Sequence, residues 1–486
     1  MTSLTKQVAK HTIIQVAGRF LSLLLGIFVI SLILRYLGPE QYGYYSISIA
    51  YLQMFGIVVD FGLYLITLKY MGEIDAELSL SESERKNKSD FILQNIFTLR
   101  FFSAIFFYGL ACLVSLFFSY PLAVKIGVAI LSLSLFFSTL IQLLAAIYQK
   151  NFDTSKIIIG ELIGRVICLG LIIIFAVLNL GFYYILSAFI FSSAANFLFL
   201  LFKTRRYFKL KFSFDFSLWK NILIQAWPVG LGIILNTIYF KADTLILSAY
   251  RSATEVGLYG ACYRVFEVLI TFPPLFLGLV FAQVSRAWTE GNTERFKYLL
   301  QKSFDFLIAI SLPTVLFVLF LGPRIMKLVG GQEFVESGKI LRVIIVATGI
   351  LFMAELFKQT IVNLNQQKNI LKFYLFTAIF SLTGYFIFIP RYSYWGAAGV
   401  TVATEFLMFI LLVHVIRRAS GFSPNLRFFS KALLAGLGMV AILAIFYHLN
   451  LFILTGLAWL IYLICLYYLK GFDRQVWRSL FNKKEQ

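Results

Sequence analysis

The chain has 486 residues, of which 60 % are hydrophobic and only 14 % are charged. A soluble globular domain carries about 25 % charged residues, so this composition excludes a soluble protein and predicts a polytopic membrane protein. The formal net charge of +20 does not indicate nucleic-acid binding, because the basic residues are scattered between apolar runs rather than gathered on one polar face.

The apolar runs are long enough to cross a bilayer as helices. A hydrocarbon core about 30 Å thick requires ~20 apolar residues per helix, and the runs lack the two-residue alternation of an outer-membrane barrel. We therefore predict an all-α polytopic membrane protein with about fourteen transmembrane helices. Six of them lie within residues 12–202, six within residues 222–416 and a final pair within residues 429–469.

A basic segment separates the two predicted halves. It begins Lys203-Thr204-Arg205-Arg206 and interrupts the hydrophobic pattern more clearly than any other stretch. The predicted organisation is an N-terminal lobe in residues 1–202, a cytoplasmic linker in 203–220, a C-terminal lobe in 221–418, and two added helices with a basic cytoplasmic tail in 419–486.

The distribution of Lys and Arg between the helices predicts the orientation. Loops on one side carry most of the basic residues, including Lys150, the 203–220 linker and Arg417, whereas the opposite loops carry few. Because basic loops are retained in the cytoplasm, we predict a multi-pass protein of the cytoplasmic membrane with both termini cytoplasmic.

Two features of the chain predict no functional site. Residues 72–90 mix acids with bases and have no apolar periodicity, which predicts a solvated cytoplasmic loop. The four cysteines occur singly and without metal-ligand spacing, so neither a metal, a cofactor nor a disulfide is expected. They are Cys112, Cys168, Cys262 and Cys465.

A weak repeat relates the two halves. Residues 10–71 form an apolar run, a turn at residues 35–43 and a second apolar run, and residues 220–286 repeat this arrangement. Aligning Gly43-Tyr44-Tyr45 with Gly257-Leu258-Tyr259 places the two copies in register. Because six helices separate the copies, both have the same orientation, which predicts a parallel pseudo-two-fold repeat about an axis along the membrane normal.

Three motifs resemble a known family. They are Arg35-Tyr36-Leu37-Gly38-Pro39-Glu40-Gln41-Tyr42-Gly43, Asp60-Phe61-Gly62-Leu63, and Trp395-Gly396-Ala397-Ala398-Gly399-Val400 followed by Thr404-Glu405. With them the chain resembles the polysaccharide-synthesis and O-antigen repeat-unit flippases of the multidrug/oligosaccharidyl-lipid/polysaccharide exporter superfamily. The resemblance implies movement of undecaprenyl-pyrophosphate-linked oligosaccharides across the cytoplasmic membrane, by alternating access between two six-helix lobes.

Ionisable residues inside the apolar runs predict a polar cavity. A charge at the middle of a membrane helix costs roughly 2.5–3.5 kcal/mol, so such residues line water, pair with each other or bind a ligand. His11, Gln15, Arg19, Ser22 and Gly26 form one polar or small stripe on the first helix. Small residues alone would indicate close helix packing, whereas an arginine in the stripe favours a water-filled cavity.

A pyrophosphate-linked glycan requires cations for its diphosphate and hydroxyl or amide groups for its sugars. Arginine suits the diphosphate because its planar guanidinium donates two parallel hydrogen bonds and does not deprotonate. Glu161 and Glu267 lie one helical turn from two of the candidate arginines, so an ion pair within the helix is an alternative role for each. The predicted substrate-binding residues are Arg19, Arg100, Arg165, Arg264, Gln15, Gln53 and Asn236.

Three acidic residues, Asp60, Asp243 and Glu405, are candidates for coupling transport to H⁺ or Na⁺. The membrane potential is the alternative energy source. For Asp60 a structural role, as a partner of Arg35 or as a cap near the outer surface, is weighed equally. Anionic lipids and other membrane proteins of polysaccharide assembly are the remaining predicted partners.

Other functions are weighed against this interpretation. No residue argues against a lipid-linked peptidoglycan-precursor flippase. A cation-coupled multidrug exporter of the same superfamily would be expected to carry a titratable carboxylate in the first helix, where this chain has Arg19. A membrane glycosyltransferase would require acid–base residues and a sizeable outer loop, and the longest predicted outer loop is residues 322–336, so no enzymatic activity is expected.

Overall fold

The computed structural model describes residues 3–77, 79, 81–151, 153–205, 207, 210–364 and 366–471, with side chains from residue 17 onward except those of residues 229, 279, 367 and 368. These ranges contain helices and no strand, as expected where every backbone group must be bonded internally in lipid. The helices are α1 (Ser3–Asp60), α2 (Leu63–Ala76), α3 (Glu82–Phe117), α4 (Leu122–Lys150), α5 (Ser155–Val177), α6 (Phe182–Thr204), α7 (Phe216–Tyr250), α8 (Ala253–Leu269), α9 (Phe272–Thr289), α10 (Thr293–Gly330), α11 (Val335–Asn363), α12 (Gln367–Ser420), α13 (Arg427–Ile445) and α14 (Leu451–Tyr468), with a 3-10 turn at Gln332–Phe334.

Twelve helical segments within the described ranges are long and apolar enough to cross a membrane. Two helices are too long for one crossing, since α1 has 58 residues and would extend about 87 Å if straight, and α12 has 54 and would extend about 81 Å. Each contains one residue with non-helical dihedral angles, Gly38 in α1 and Ser393 in α12. Counting both as two crossings confirms the predicted number of transmembrane helices.

Internal packing divides the chain into two compact units, Met1–Gly260 and Ala261–Gln486. The core of the first unit gathers buried residues from α2, α3, α4, α6 and α7, among them Ile96 and Leu200. The core of the second unit gathers residues from α9 to α14, among them Phe304 and Met439. The added helix pair, α13 and α14, belongs to this core. The predicted lobes at residues 1–202 and 221–418 stay a prediction.

The chain reverses direction at Gly38. This residue adopts φ 66°, in the left-handed region that glycine tolerates without strain. Pro39 then opens the second limb of α1, where a missing N–H leaves no helical hydrogen bond unmade. The turn predicted at residues 35–43 is thus reduced to a single residue between two helical limbs.

Contacts of the two limbs show that the reversal is complete. Tyr36 accepts a hydrogen bond from the backbone N–H of Gly181 at 3.0 Å, just before α6 begins. Ser48 donates one to the carbonyl of Val124 at 3.2 Å, in the first turn of α4. Because α4 and α6 pack side by side with their first turns together, both limbs of α1 have their Gly38 ends at the same end of the unit.

The predicted second and eighth transmembrane helices are each broken, which the sequence pattern did not predict. Phe61 (φ 37°) and Gly62 (φ 78°) interrupt the helix between α1 and α2, and the Phe61 ring packs against Trp227 with centroids 6.0 Å apart. The corresponding break separates α8 from α9, which has proline in its first turn. Proline has no N–H to donate to the preceding turn, so a helix breaks before it even where the apolar pattern runs on.

The two copies of the repeat contact each other reciprocally inside the first unit. A Cβ at Gly43 would clash with the carbonyl oxygen of Ala253, and a Cβ at Gly257 would clash with the carbonyl oxygen of Pro39. In the sequence alignment Gly43 pairs with Gly257 and Pro39 pairs with Ala253, so each contact is the image of the other. A two-fold-related pair of helices makes such contacts, as the predicted repeat requires of its two copies, and the parallel arrangement of the two halves stays a prediction.

The loop predicted at residues 72–90 is wrong. Only residues 77–81 lie between α2 and α3. The Ser81 hydroxyl accepts from the backbone N–H of Glu84 at 3.3 Å, and the Glu84 carboxylate accepts from the backbone N–H of Ser81 at 2.9 Å. This capping box starts α3 in a polar sequence that has no apolar periodicity.

The end of the basic linker is anchored to α3 by one buried amide. Asn95 accepts hydrogen bonds from the backbone N–H of Asp215 at 2.8 Å and from the Trp219 indole at 3.2 Å, and it donates to the Ser213 hydroxyl at 3.0 Å. Asp215 in turn caps α7 by accepting from the N–H of Leu218 at 2.9 Å. This anchor fixes where α7 begins beside α3.

Candidate functional site

A polar cavity of about 380 Å³ lies inside the first unit, between α1, α3, α4 and α7. Its walls carry four hydroxyl groups, two amides and one ammonium group. Such groups are costly at membrane depth unless they meet water, one another or a ligand. The lining residues are Gln53, Gly56, Ile57, Tyr108, Leu135, Ser138, Thr139, Gln142, Thr237 and Lys241.

Helical spacing brings these side chains to one place. Ser138 and Gln142 are one turn apart on α4, and Thr237 and Lys241 are one turn apart on α7, so each pair shares a helix face. On α1 the glycine Gly56 leaves room for α3, since a Cβ there would lie 3.1 Å from the Tyr108 hydroxyl. Polar side chains from all four helices therefore meet at the cavity, and Gly56 leaves the space beside Tyr108.

An ion pair between Arg100 and Asp60 adjoins this cavity. Arg100 is fully buried, and its Nη2 lies 2.5 Å from Asp60 Oδ1 and 2.5 Å from Oε1 of Gln142, which lines the cavity. The Nε and Nη1 atoms of Arg100 have no hydrogen-bond partner among the residues that the structure describes. Asp60 thus pairs with Arg100 rather than with Arg35, because α3 approaches α1 at the helix break.

Arg165 belongs to a network that joins α1 to α5. Its Nε donates to the Ser22 hydroxyl at 2.6 Å, its Nη2 lies 3.2 Å from Glu161 Oε1, and Ser22 donates to the same Glu161 oxygen at 2.5 Å. Gly26 makes space for the guanidinium, since a Cβ there would lie 2.6 Å from Arg165 Nη1. Two members of the polar stripe of the first helix, Ser22 and Gly26, therefore pack on α5 through this network.

Asp243 is fully buried and joins α7 to α8. Its Oδ2 accepts from the Tyr259 hydroxyl at 2.5 Å, and its Oδ1 accepts from the backbone N–H of Thr244 at 2.6 Å. Both carboxylate oxygens are therefore hydrogen-bonded, whereas Lys241, two residues earlier on α7, lines the cavity.

The remaining candidates of the first unit differ in exposure. Arg19 is exposed on α1 and interacts electrostatically with Tyr64 of α2. The Tyr64 hydroxyl donates a hydrogen bond to Gln149. Asn236 is half-buried on α7, next to the cavity residue Thr237. Gln53 lines the cavity itself. The side chain of Gln15 lies outside the described residues.

Two candidates lie in the second unit. Arg264 Nη1 lies 2.8 Å from Glu267 Oε2, one helical turn away, so the predicted ion pair within α8 forms. Glu405 is 1 % exposed on α12 and interacts electrostatically with Lys358 of α11, which interacts with Glu355 as well. One ammonium group thus faces two carboxylates inside this unit.

Several cavity residues are absent from the predicted set, namely Tyr108, Ser138, Thr139, Gln142, Thr237 and Lys241. A signal for some of them was present, since Ser138 with Gln142 and Thr237 with Lys241 place two polar residues one turn apart in an apolar helix. Lys241 projects away from Asp243, which lies two residues later on α7, and this direction takes it into the cavity.

Two comparisons relate the sequence to known proteins. The sequence profile of the family described as "Polysaccharide biosynthesis protein" matches residues 32–339. The capsular polysaccharide biosynthesis protein CapF of Staphylococcus aureus is 25 % identical over 401 residues, which cover 80 % of this chain and 95 % of CapF.

Solved structures show the same fold at low sequence identity. The lipid II flippase MurJ, in an inward closed conformation, matches with a TM-score of 0.74 and 17 % identity, over 96 % of this chain and 99 % of that one. A multidrug resistance MATE family transporter of the MOP superfamily, in an inward-facing conformation, matches with a TM-score of 0.66 and 15 % identity, over 85 % of this chain and 99 % of that one.

Proposed function

This chain belongs to the polysaccharide biosynthesis protein family, and on that premise we propose that it is a flippase for undecaprenyl-pyrophosphate-linked oligosaccharide repeat units. Membership confirms the family predicted from the sequence motifs, and the fold is that of a transporter with many membrane-spanning helices. The proposed flippase moves its substrate across the cytoplasmic membrane by alternating access, to supply surface polysaccharide synthesis.

The observation that carries this proposal is the polar cavity of the first unit, which is surrounded by membrane-spanning helices. Sugars present hydroxyl and acetamido groups, and the amides of Gln53 and Gln142 can both donate to and accept from them. The hydroxyls of Ser138 and Thr139 extend the same wall. A cavity for an apolar drug would be lined mainly by apolar and aromatic groups.

Two cations of the first unit supply the proposed diphosphate contacts. Lys241 lines the cavity, and the exposed Arg19 supplies a second charge. Arg100 has an indirect role, because its hydrogen bond to Gln142 orients that amide toward the cavity. Arg165 and Arg264 already have carboxylate partners, so we assign them to helix packing.

Asp60 is the proposed coupling residue. It is 24 % exposed, holds Arg100 through one carboxylate oxygen, and immediately precedes the helix break. Binding of H⁺ or Na⁺ at this carboxylate would weaken the ion pair and free α3 to move relative to α1. Asp243, with both oxygens bonded, and Glu405, in its charged cluster, are assigned structural roles.

The proposed setting follows the distribution of charge. With both termini in the cytoplasm, the basic linker and tail face anionic lipid headgroups, to which each Lys or Arg contributes about 1 kcal/mol of attraction. The proposed partners are the lipid-linked glycan, anionic lipids, a coupling H⁺ or Na⁺, and other membrane proteins of polysaccharide assembly.

A peptidoglycan-precursor flippase is the second candidate, and the observation that favours it is the fold shared with MurJ over nearly the whole of both chains. The two candidates differ only in the glycan carried. To distinguish the two candidates, each purified lipid-linked glycan is added to vesicles that contain the protein, and its movement between leaflets is measured. We expect the polysaccharide repeat unit to be flipped and the peptidoglycan precursor to be left in its leaflet.

The test of the proposed function uses two charge-removing variants in a strain that lacks the gene. Arg19→Ala and Lys241→Met should each abolish surface glycan and cause lipid-linked repeat units to accumulate on the cytoplasmic side. The matched control is Lys327→Met, which removes an exposed lysine from the last turn of α10.

Protein abundance in the membrane is measured for each strain. Normal glycan export by both charge-removing variants, at normal abundance, would refute the substrate roles proposed for Arg19 and for the cavity residue Lys241. An export defect in Lys327→Met as large as in Lys241→Met would show that the assay reports charge loss in general.

A further inference from the structure

The two limbs of α12 form an antiparallel helical hairpin. The chain reverses at Ser393, which adopts φ 53°. The Tyr385 hydroxyl lies 3.1 Å from the Thr401 hydroxyl across the hairpin, and a Cβ at Gly384 would lie 2.9 Å from Val400. Glycine therefore lets the two limbs lie close together.

An apolar groove of about 530 Å³ runs along this hairpin. Its walls are aromatic or aliphatic, with Phe380 at one end, Phe388 in the middle and Tyr392 near the reversal. The thirteen residues from Phe380 to Tyr392 extend about 18 Å along a helix, which is more than half of a ~30 Å hydrocarbon core. The groove thus has the depth of one leaflet.

The floor of the groove is open at Gly399. A Cβ built there meets no atom within 4 Å, so the glycine faces empty space rather than a neighbouring helix. The wall residue Phe388 is 44 % exposed. The groove can therefore accept a chain without rearrangement of the hairpin.

The mouth of the groove is amphipathic. Tyr392 and Trp395 line the groove on either side of the reversal, and such side chains sit at the headgroup level of a bilayer. Arg391, next to Tyr392 in the chain, is exposed and charged. An apolar groove with an exposed arginine two residues before the reversal at its end complements an amphiphile that has a hydrocarbon tail and an anionic head.

We propose that this groove binds the polyprenyl chain of the lipid-linked substrate, with Arg391 at its phosphate. The inference rests on the proposed function. A polyprenyl chain carries a methyl branch and a planar double bond in every unit, and it packs on flat aromatic walls better than a straight acyl chain does. This matters because lipid tails compete for the groove, so packing rather than hydrophobicity must discriminate between them. With both termini in the cytoplasm, the Ser393 reversal lies at the outer face, and the groove holds the chain after translocation.

Photo-crosslinking tests the occupant directly. Benzoylphenylalanine replaces Phe388 in the groove or, as a control, Phe106, which is 62 % exposed on α3. The full-length protein is reconstituted in phosphatidylethanolamine and phosphatidylglycerol vesicles that contain a small share of undecaprenyl phosphate. We expect the polyprenyl adduct at Phe388 to exceed its share of the lipid about tenfold, and the adducts at Phe106 to follow the bulk composition.

Two other outcomes would overturn the proposal. Phospholipid adducts in bulk proportion at both positions would mean that the groove holds ordinary lipid. A crosslink between two copies of the chain at Phe388 would mean that the groove is a protein interface.

A groove-filling variant provides a second test. Gly399→Phe, combined with the crosslinker at Phe388, should lower the polyprenyl adduct about tenfold. Gly109→Phe is the matched control, because Gly109 is also an exposed helical glycine with nothing within 4 Å of a built Cβ. Equal adduct yields from the two variants would overturn the groove site.

Different experimental outcomes would overturn the groove site and the proposed function. Enrichment of the polyprenyl adduct together with normal export by Arg19→Ala and Lys241→Met would overturn the cavity proposal and leave the groove. Defective export by those variants, without enrichment at Phe388, would overturn the groove and leave the proposed function.

Discussion

Replacing Asp60 by alanine should destabilise the protein, because it removes the carboxylate that is paired with the fully buried Arg100. Arg100 has no exposed surface, whereas Asp60 is 24 % exposed. Breaking a buried ion pair from one side costs about 3–5 kcal/mol, because the remaining charge is left without compensation. Since water already reaches the Asp60 side of this pair, we expect a value near the lower limit, about 3 kcal/mol, for Asp60→Ala.

The difference in burial also predicts an order among the variants. Arg100→Leu leaves a carboxylate that water can partly solvate, so it should cost less than Asp60→Ala, about 2 kcal/mol. The double variant Asp60→Ala/Arg100→Leu leaves no buried charge and should lie within about 1 kcal/mol of the wild type. The single changes are therefore expected to be strongly non-additive.

The assay is the free energy of unfolding of the detergent-solubilised protein, measured by titration with a denaturing detergent. The matched control is Glu73→Ala, which breaks the 3.6 Å pair of Glu73 with Lys69, where the two side chains are 56 % and 52 % exposed. That change should cost less than about 0.5 kcal/mol. The reasoning is refuted if Asp60→Ala costs no more than Glu73→Ala, or if the double variant is as unstable as Asp60→Ala alone.

Three further changes are tested by the same measurement. Gly43→Ala should cost about 3 kcal/mol, because the new methyl group meets a backbone carbonyl that cannot move aside. The control Gly109→Ala should instead stabilise α3 by up to ~1 kcal/mol. Equal effects of the two changes would contradict the reciprocal contact. Asn95→Ala removes three hydrogen bonds from the linker and should cost about 2–3 kcal/mol, with faster amide exchange in residues 213–219; unchanged exchange would exclude the anchoring role. Tyr259→Phe deprives the buried Asp243 of one bond and should cost about 1–3 kcal/mol, and a neutral result would mean that water replaces the hydroxyl.

Sequence patterns predicted the membrane architecture well, for a local reason. Each crossing needs its own run of apolar residues, so the number of crossings can be read from the chain without knowing how they pack. The reversal at Gly38 was predictable because glycine followed by proline is a local signal. The breaks at Phe61 and before α9 were missed, because an apolar run continues across a break in the same way as along a helix.

The partners of the charged residues could not be predicted where they lie on different helices. Glu161 and Arg165 were identified as an i,i+4 pair because helical geometry alone brings them together. The pair of Asp60 and Arg100 is separated by 40 positions, and nothing in either segment specifies the other. Lys241 could likewise not be assigned to the cavity from the sequence, because its neighbours there come from three other helices.

The sequence by itself therefore determined that this is an all-helical membrane protein, how many times it crosses and where it first reverses. Only the tertiary structure decided which polar groups meet. In a water-soluble protein the apolar stripe of a helix determines which face turns toward the core. In lipid every face of a membrane helix is apolar enough to contact the surrounding chains, so the rotation of each helix depends on packing with its neighbours. The pairing of Asp60 with Arg100, the entry of Lys241 into the cavity, and the open floor at Gly399 all follow from those rotations.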